Sequence, residues 1–308
     1  MNTQLVRLLI ICIYSFTLVG CAMKVKPVKE SIVAVAVESE QPIVISALAV
    51  QDVVHRYKGI ENTELEGYEK LQDLYVKQKD IDVLMASIFK HNNNDKDIII
   101  AIRGTMTPYE IQKDLEIIPV KFKDHNGVHK NDYGKTSRGF YQVYNKIRTD
   151  IMDYVQQCNN CQIDITGHSL GAAIASLAWY DIMLTEKHDA DAVHLYAYAP
   201  PKIGNSQLTN NLKNLSHNDT KHNALFIINK HDIITKNPPG PVYSKYPEQY
   251  IQELCWKAEP LPPNKSVKTT IIEYITRNHH LTDYIAAIKR QLGIKYEHPN
   301  TLQYCSNT

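Results

Sequence analysis

Apolar and polar positions divide the chain into short segments of changing period. From Ile43 onward the stretch SALAVQDVVHRY spaces its apolar residues as a helix does. Residues 82–89 and 98–102 are apolar runs parted by HNNNDKD, which predicts a hairpin. Between 139 and 158, Tyr144, Ile147, Ile151 and Tyr154 return at helical spacing. Three short apolar runs follow at 163–166, 193–199 and 225–229, each separated by enough chain for a helical crossover. Strands and helices alternating in this way predict a mostly parallel sheet covered on both faces. A last helix is expected from Thr282, as N-cap, to Leu292, with Gly293 closing it. No internal repeat or interior shift of composition interrupts the pattern. One domain is therefore expected over 43–296, followed by a tail at 297–308.

The first residues follow a different logic. Arg7 is the one charge before LLIICIYSFTL at 8–18, an apolar run too short to span a bilayer and suited to a secretory signal. Leu18-Val19-Gly20-Cys21 then resembles the bacterial lipobox, in which cleavage leaves an acylated cysteine at the new N-terminus. This predicts a signal over 1–20, a lipid anchor on Cys21 and a tether over 21–42. Acyl chains contribute about 0.8 kcal/mol per buried methylene, so several on one residue hold a protein to a membrane. Ala22 follows Cys21 where an inner-membrane lipoprotein of many Gram-negative bacteria carries Asp, which favours the outer membrane.

Composition narrows the function. Hydrophobic residues make up 44% of 308, enough to fill a large core, so wholesale disorder is excluded. The 34 Lys and Arg against 33 Asp and Glu leave no basic excess, so a nucleic-acid partner is not expected. Of six cysteines, Cys12 departs with the signal and Cys21 is acylated. Cys158, Cys161, Cys255 and Cys305 remain, with three pairings open. No second C-x-x-C accompanies Cys158 and Cys161, so a local or tail-fixing disulfide is expected and no metal is called for.

The chemistry centres on Gly167-His168-Ser169-Leu170-Gly171, set between an apolar run and AAIASLAWYD. Strand, sharp turn and helix are the context that makes G-x-S-x-G a nucleophile elbow. A serine hydroxyl attacks only when a base takes its proton and an acid orients that base. Asp232, just beyond LFIIN, is the candidate acid, and the His279-His280 pair before the last helix offers the base. An oxyanion hole needs two aimed donors. The N–H of Leu170 is one candidate, and Thr105, after IIIAIRG, is the other.

Four ordered blocks, IIIAIRGT, ITGHSLGAAIASLAWYD, PKIGN and NKHDIITKNPP, resemble the class 3 lipases, the fungal-type family with an α/β-hydrolase fold. They cover about residues 80–290. A fifth, His280-Leu281-Thr282-Asp283-Tyr284, resembles the family's histidine with a tyrosine four residues on. The resemblance implies Ser169 as nucleophile, Asp232 as acid, His280 as base, and Thr105 with Leu170 as oxyanion hole. It gives His168 a packing role and requires no cofactor. It also implies a lid within 106–137, where Met106, Tyr109, Ile117, Ile118 and Val120 offer apolar surface. Tyr109 to Leu115 and Ala199-Pro200 depart from the family's usual residues, which bears on lid and acyl pocket rather than on the triad. The expected function is a membrane-anchored lipase cleaving lipid esters. Phospholipase A1, lysophospholipase and acyltransferase chemistry use the same residues, and a non-catalytic envelope lipoprotein is the alternative of another class.

Overall fold

A computed structural model describes residues 41–60, 63–105, 116–128, 130, 132–185, 188–215, 217–218, 221–258, 276–296 and 302–305. The expected signal, Cys21, nearly all of the tether and residues 106–115 of the expected lid lie outside them. Among the described residues no helix is long and apolar enough to cross a membrane.

Among the described residues the main sheet and its helices are α1 (Pro42–Tyr57), β1 (Tyr68–Gln78), β2 (Ile81–His91), β3 (Asn94–Ile102), α2 (Arg138–Gln157), β4 (Gln162–His168), α3 (Leu170–Met183), β5 (Val193–Tyr198), α4 (Ser206–Leu215), β6 (Ala224–Asn229), β7 (Ile251–Leu254) and α5 (Leu281–Gln291). The seven strands lie side by side in chain order. The first three are antiparallel, because two-residue turns leave no chain for a crossover. From β3 to β7 every pairing is parallel.

Alternation along the central strands sorts the core. Ile98, Ile100 and Ile102 face α2 and α3, together with Ile163, Ile165 and Leu195. Ile99 and Ala101 face the other way, onto Ala49, Val50 and Val53 of α1. Tyr198 and Ile227 meet Tyr284, Ile285 and Ile288 of α5. Strands buried on both faces read as continuous apolar runs, which is why the hairpin and the three later runs stand out in the sequence. β1 does not stand out. It is an edge strand whose fully buried side chains are Leu74 and Val76, so its sequence reads as polar chain. The sheet and its two helical layers form an α/β-hydrolase fold.

Two boundaries differ from expectation. The last helix begins at Leu281 with His280 as N-cap, two residues earlier than a Thr282 cap would set it. The C-terminal tail is not loose. Leu302–Tyr304 pairs antiparallel with Trp256–Ala258, and Cys255 and Cys305 form a disulfide beside that ribbon. The other disulfide joins Cys158 to Cys161 directly after α2.

Closing a loop removes entropy from the unfolded chain in proportion to the logarithm of its length. With a separation of 50 residues, Cys255–Cys305 should contribute about 4 kcal/mol, against about 2 kcal/mol for the three-residue Cys158–Cys161 link. Urea unfolding of the two double Cys→Ala variants is expected to show that order.

Candidate active site

The turn between β4 and α3 is the tightest part of the molecule. Ser169 stands there with φ +59° and ψ −123°, a conformation that side-chain-bearing residues avoid and that costs about 1–3 kcal/mol. Its flanking glycines are obligatory. A Cβ on Gly167 would lie 2.3 Å from the Gly171 carbonyl oxygen, and one on Gly171 would lie 2.3 Å from that of Ile102. The strain is held by backbone bonds on both sides. Ser169 N–H donates to the Tyr198 carbonyl on β5 at 3.0 Å, while the Ser169 carbonyl accepts from Ala172 and Ala173 in α3. All fourteen residues of α3 are buried, and Ala172, Ala173 and Ala175 let it lie close to the sheet.

The serine hydroxyl lies 2.7 Å from Nε2 of His279, whose Nδ1 lies 2.6 Å from Oδ2 of Asp232. The three residues come from the ends of β4 and β6 and from the segment entering α5, so the sheet's carboxyl edge brings them together. Asp232 is fully buried, and hydrogen bonds replace the water it has lost. Oδ1 accepts from the Ile234 N–H at 2.9 Å, and Oδ2 accepts from the Tyr284 hydroxyl at 2.9 Å as well as from His279. Burial, and next the charge of Asp232, push the Tyr284 phenol well above its ordinary pKa. It stays protonated and donates, while receiving the Asn229 N–H. Asn229 also accepts from Trp256 N–H, and Asn278 accepts from Ala258 N–H, so the ribbon beside the Cys255–Cys305 disulfide buttresses the same corner.

The oxyanion candidates flank the serine. Leu170 is the first residue of α3. Thr105 follows Gly104 at the end of β3, and a Cβ on Gly104 would come within 3.3 Å of the Ser169 Cβ. Arg103 fixes this loop from below: its buried guanidinium donates to the Gly104 carbonyl at 2.7 Å and packs over the Tyr57 ring. His168 points the other way, with Nε2 2.8 Å from the His279 carbonyl oxygen. Burial, and next the nearby His279, push its pKa well below the ordinary histidine value, so the ring is neutral and Nε2–H is the donor.

One expected site residue is misplaced. His280 touches neither Ser169 nor Asp232; it is exposed and serves as the N-cap of α5, its carbonyl accepting from Asp283 and Tyr284. The chain enters the helix at that point, so neighbouring side chains leave it in opposed directions and His279 alone turns inward. The tyrosine that suggested His280 does serve the site, but through the acid, and it stands five residues beyond the histidine that contacts the serine. Periodicity gave no signal for Arg103, Asn229 or Asn278, whose contacts run to backbone of distant segments. Of the expected lid, Ile117 and Ile118 are 39% and 50% exposed. Pro119–Lys121 pairs with Lys135–Ser137 in a short ribbon there.

Among the described residues, the group compact enough to hold a metal ion is His231, Cys255 and Cys305, and its two sulfurs are bonded to each other.

Residues 99–241 match the lipase (class 3) family model. A secreted mono- and diacylglycerol lipase of Malassezia globosa is 26% identical over 208 residues, covering 63% of this chain and 66% of its own length. A chloroplastic phospholipase A1 of Arabidopsis thaliana is 33% identical over 157 residues, 46% of this chain and 34% of that protein. The chain thus spans between about a third and two thirds of these relatives' lengths. A solved fungal lipase–inhibitor complex superimposes with a TM-score of 0.54 at 17% identity, over 77% of this chain and 94% of the other. The Rhizomucor miehei triacylglyceride lipase gives 0.53 at 19%, over 69% and 77%. At such identities these two structures speak for the fold. Sheet, elbow and Ser–His–Asp arrangement define an α/β-hydrolase. Within that class the chain is similar to the class 3 lipases over residues 99–241.

The two adjacent histidines make a clean contrast. His279→Ala should slow phosphonylation of Ser169 by about 10³-fold or more, since it removes the group that accepts the serine proton. His280→Ala should leave that rate within about threefold of wild type, and stopped-flow labelling distinguishes the two.

Proposed function

We propose that the protein is a serine carboxylic-ester hydrolase acting on lipid esters. The observation that carries this reading is the unbroken relay from Ser169 Oγ through His279 to Asp232, mounted on a strained elbow. Ser169 attacks the ester carbonyl as His279 Nε2 takes its proton. Asp232, held by Tyr284 and the Ile234 N–H, keeps Nδ1 protonated and stabilises the imidazolium that forms. Charge developing on the carbonyl oxygen is met by the N–H of Leu170, at the positive end of α3, and by Thr105. His279 then returns the proton to the departing alcohol. Water, activated by the same imidazole, releases the acid and regenerates Ser169. No cofactor takes part in these steps.

Acylglycerols are the proposed first substrate class, supported by the fungal relative's action on mono- and diacylglycerol. Acyl esters of glycerophospholipids are the second, supported by the 33% identity to a plant phospholipase A1. The location follows from Leu18-Val19-Gly20-Cys21: an exported bacterial lipoprotein, acylated on Cys21 and carried to the outer membrane, would hold its hydrolase domain beside its substrate.

Two experiments test the reading. Ser169→Ala should lower hydrolysis of p-nitrophenyl esters, acylglycerols and phospholipids by about 10³-fold or more while leaving the unfolding transition in place. Retained turnover on any of the three would remove Ser169 from that activity. Separately, Cys21→Ser should shift the protein from the membrane fraction to the soluble one and abolish incorporation of labelled fatty acid. A variant that stays with membranes, with the same unmodified N-terminus as wild type, would end the lipoprotein proposal.

A further inference from the structure

His168 is a titratable side chain at the site for which the relay has no use. We propose that it is a positioning residue, a neutral hydrogen-bond donor that holds the backbone of His279 so that its imidazole stays between Ser169 and Asp232. The inference rests on the proposed relay and adds a fourth side chain to it.

Three features of the geometry carry the assignment. First, His168 is the last residue of β4 and adjoins Ser169, so it shares the fixed frame of the elbow. Its Nε2 reaches the His279 carbonyl at 2.8 Å, which links that frame directly to the base. The backbone N–H of His279 donates to the Thr276 carbonyl at 2.8 Å, within its own turn. Second, the half-buried His168 ring packs against three parts of the site. Its centroid lies 4.8 Å from that of His279 and 6.2 Å from that of Tyr284, and Nδ1 would lie 3.3 Å from a Cβ on Gly104. One imidazole therefore spans the loop before Thr105, the nucleophile turn and the base.

Third, the charge state suits the task. The ionisable groups facing His168 are His279, His280 and Tyr284. A protonated ring at this distance would oppose the positive charge that His279 acquires on taking the serine proton. Burial, reinforced by His279, keeps His168 neutral. A neutral ring still donates through Nε2–H, whereas an apolar side chain of similar volume would fill the space and leave the His279 carbonyl without this donor. Displacements near 1 Å at a reacting group cost about 100-fold in rate, so loss of this bond is expected to register on the chemical step.

The test uses the full-length protein with His168→Leu, His168→Gln and His168→Asn. The amide nitrogen of Gln sits where Nε2 does, while that of Asn falls short of the His279 carbonyl. A fluorophosphonate reports the reactivity of Ser169, and a p-nitrophenyl ester gives kcat and KM separately. The Leu variant should lose about 10- to 100-fold in phosphonylation rate and kcat with KM within about twofold, and Gln should recover most of the loss. Should Leu not fold, Gln against Asn carries the same comparison, with Gln retaining activity and Asn losing it. Equal rates in Leu and wild type, or in Gln and Asn, would overturn this inference alone. A wild type that the phosphonate does not label would overturn the hydrolase reading and this inference with it.

Discussion

The site depends on how closely the first turn of α3 approaches the ends of β3 and β4. Gly171 lies so near the carbonyls of Ile102 and Arg103 that no side chain fits between them, and Gly167 is equally pressed against Gly171. This contact fixes where the chain must reverse and forces Ser169 to positive φ. The hydroxyl is thereby presented at the sheet edge instead of lying along the strand. The same approach brings Gly104 against the elbow, so the oxyanion candidate at Thr105 is placed by the packing that strains the serine. Burial of α3 along its whole length supplies the apolar contact that sustains such strain.

Around that fixed point the polar groups form a closed set of partners. A carboxylate without exposure, as at Asp232, is tolerable only when donors replace water on both oxygens. Ile234, Tyr284 and His279 provide them. Tyr284 is anchored in turn by Asn229, and Asn229 by the Trp256–Ala258 ribbon. The acid's orientation thus reaches outward to the Cys255–Cys305 disulfide, a covalent tie across 50 residues. An exported protein has the oxidising surroundings in which such a tie persists, which is compatible with the anchoring proposed for Cys21.

Legibility in the sequence followed the strength of local constraint. The elbow was readable because sterics allow few residues at Gly167 and Gly171, and the central strands because both faces are buried. Asp232 was readable because it follows closely on the apolar run of the strand Ala224–Asn229. β1 was not, since an edge strand with an exposed face carries polar residues like those of a loop. Arg103, Asn229 and Asn278 were not, because each acts on backbone atoms of segments far off in sequence. No spacing rule records such contacts.

The one-residue error at the base has the same physical origin. Both histidines precede α5, and both satisfy the required order of serine, acid and histidine. What separates them is the helix cap. The carbonyl of His280 accepts the N–H groups of Asp283 and Tyr284, which commits residue 280 to the start of the helix and turns its side chain to solvent. His279, one position earlier, is held by its own turn to Thr276 and by His168, and faces the serine. Tyr284 then falls within the second turn on the buried side and reaches Asp232. A single capping register therefore positions the base, excludes its neighbour and delivers the acid's clamp. Moving the helix start by one residue would misdirect all three.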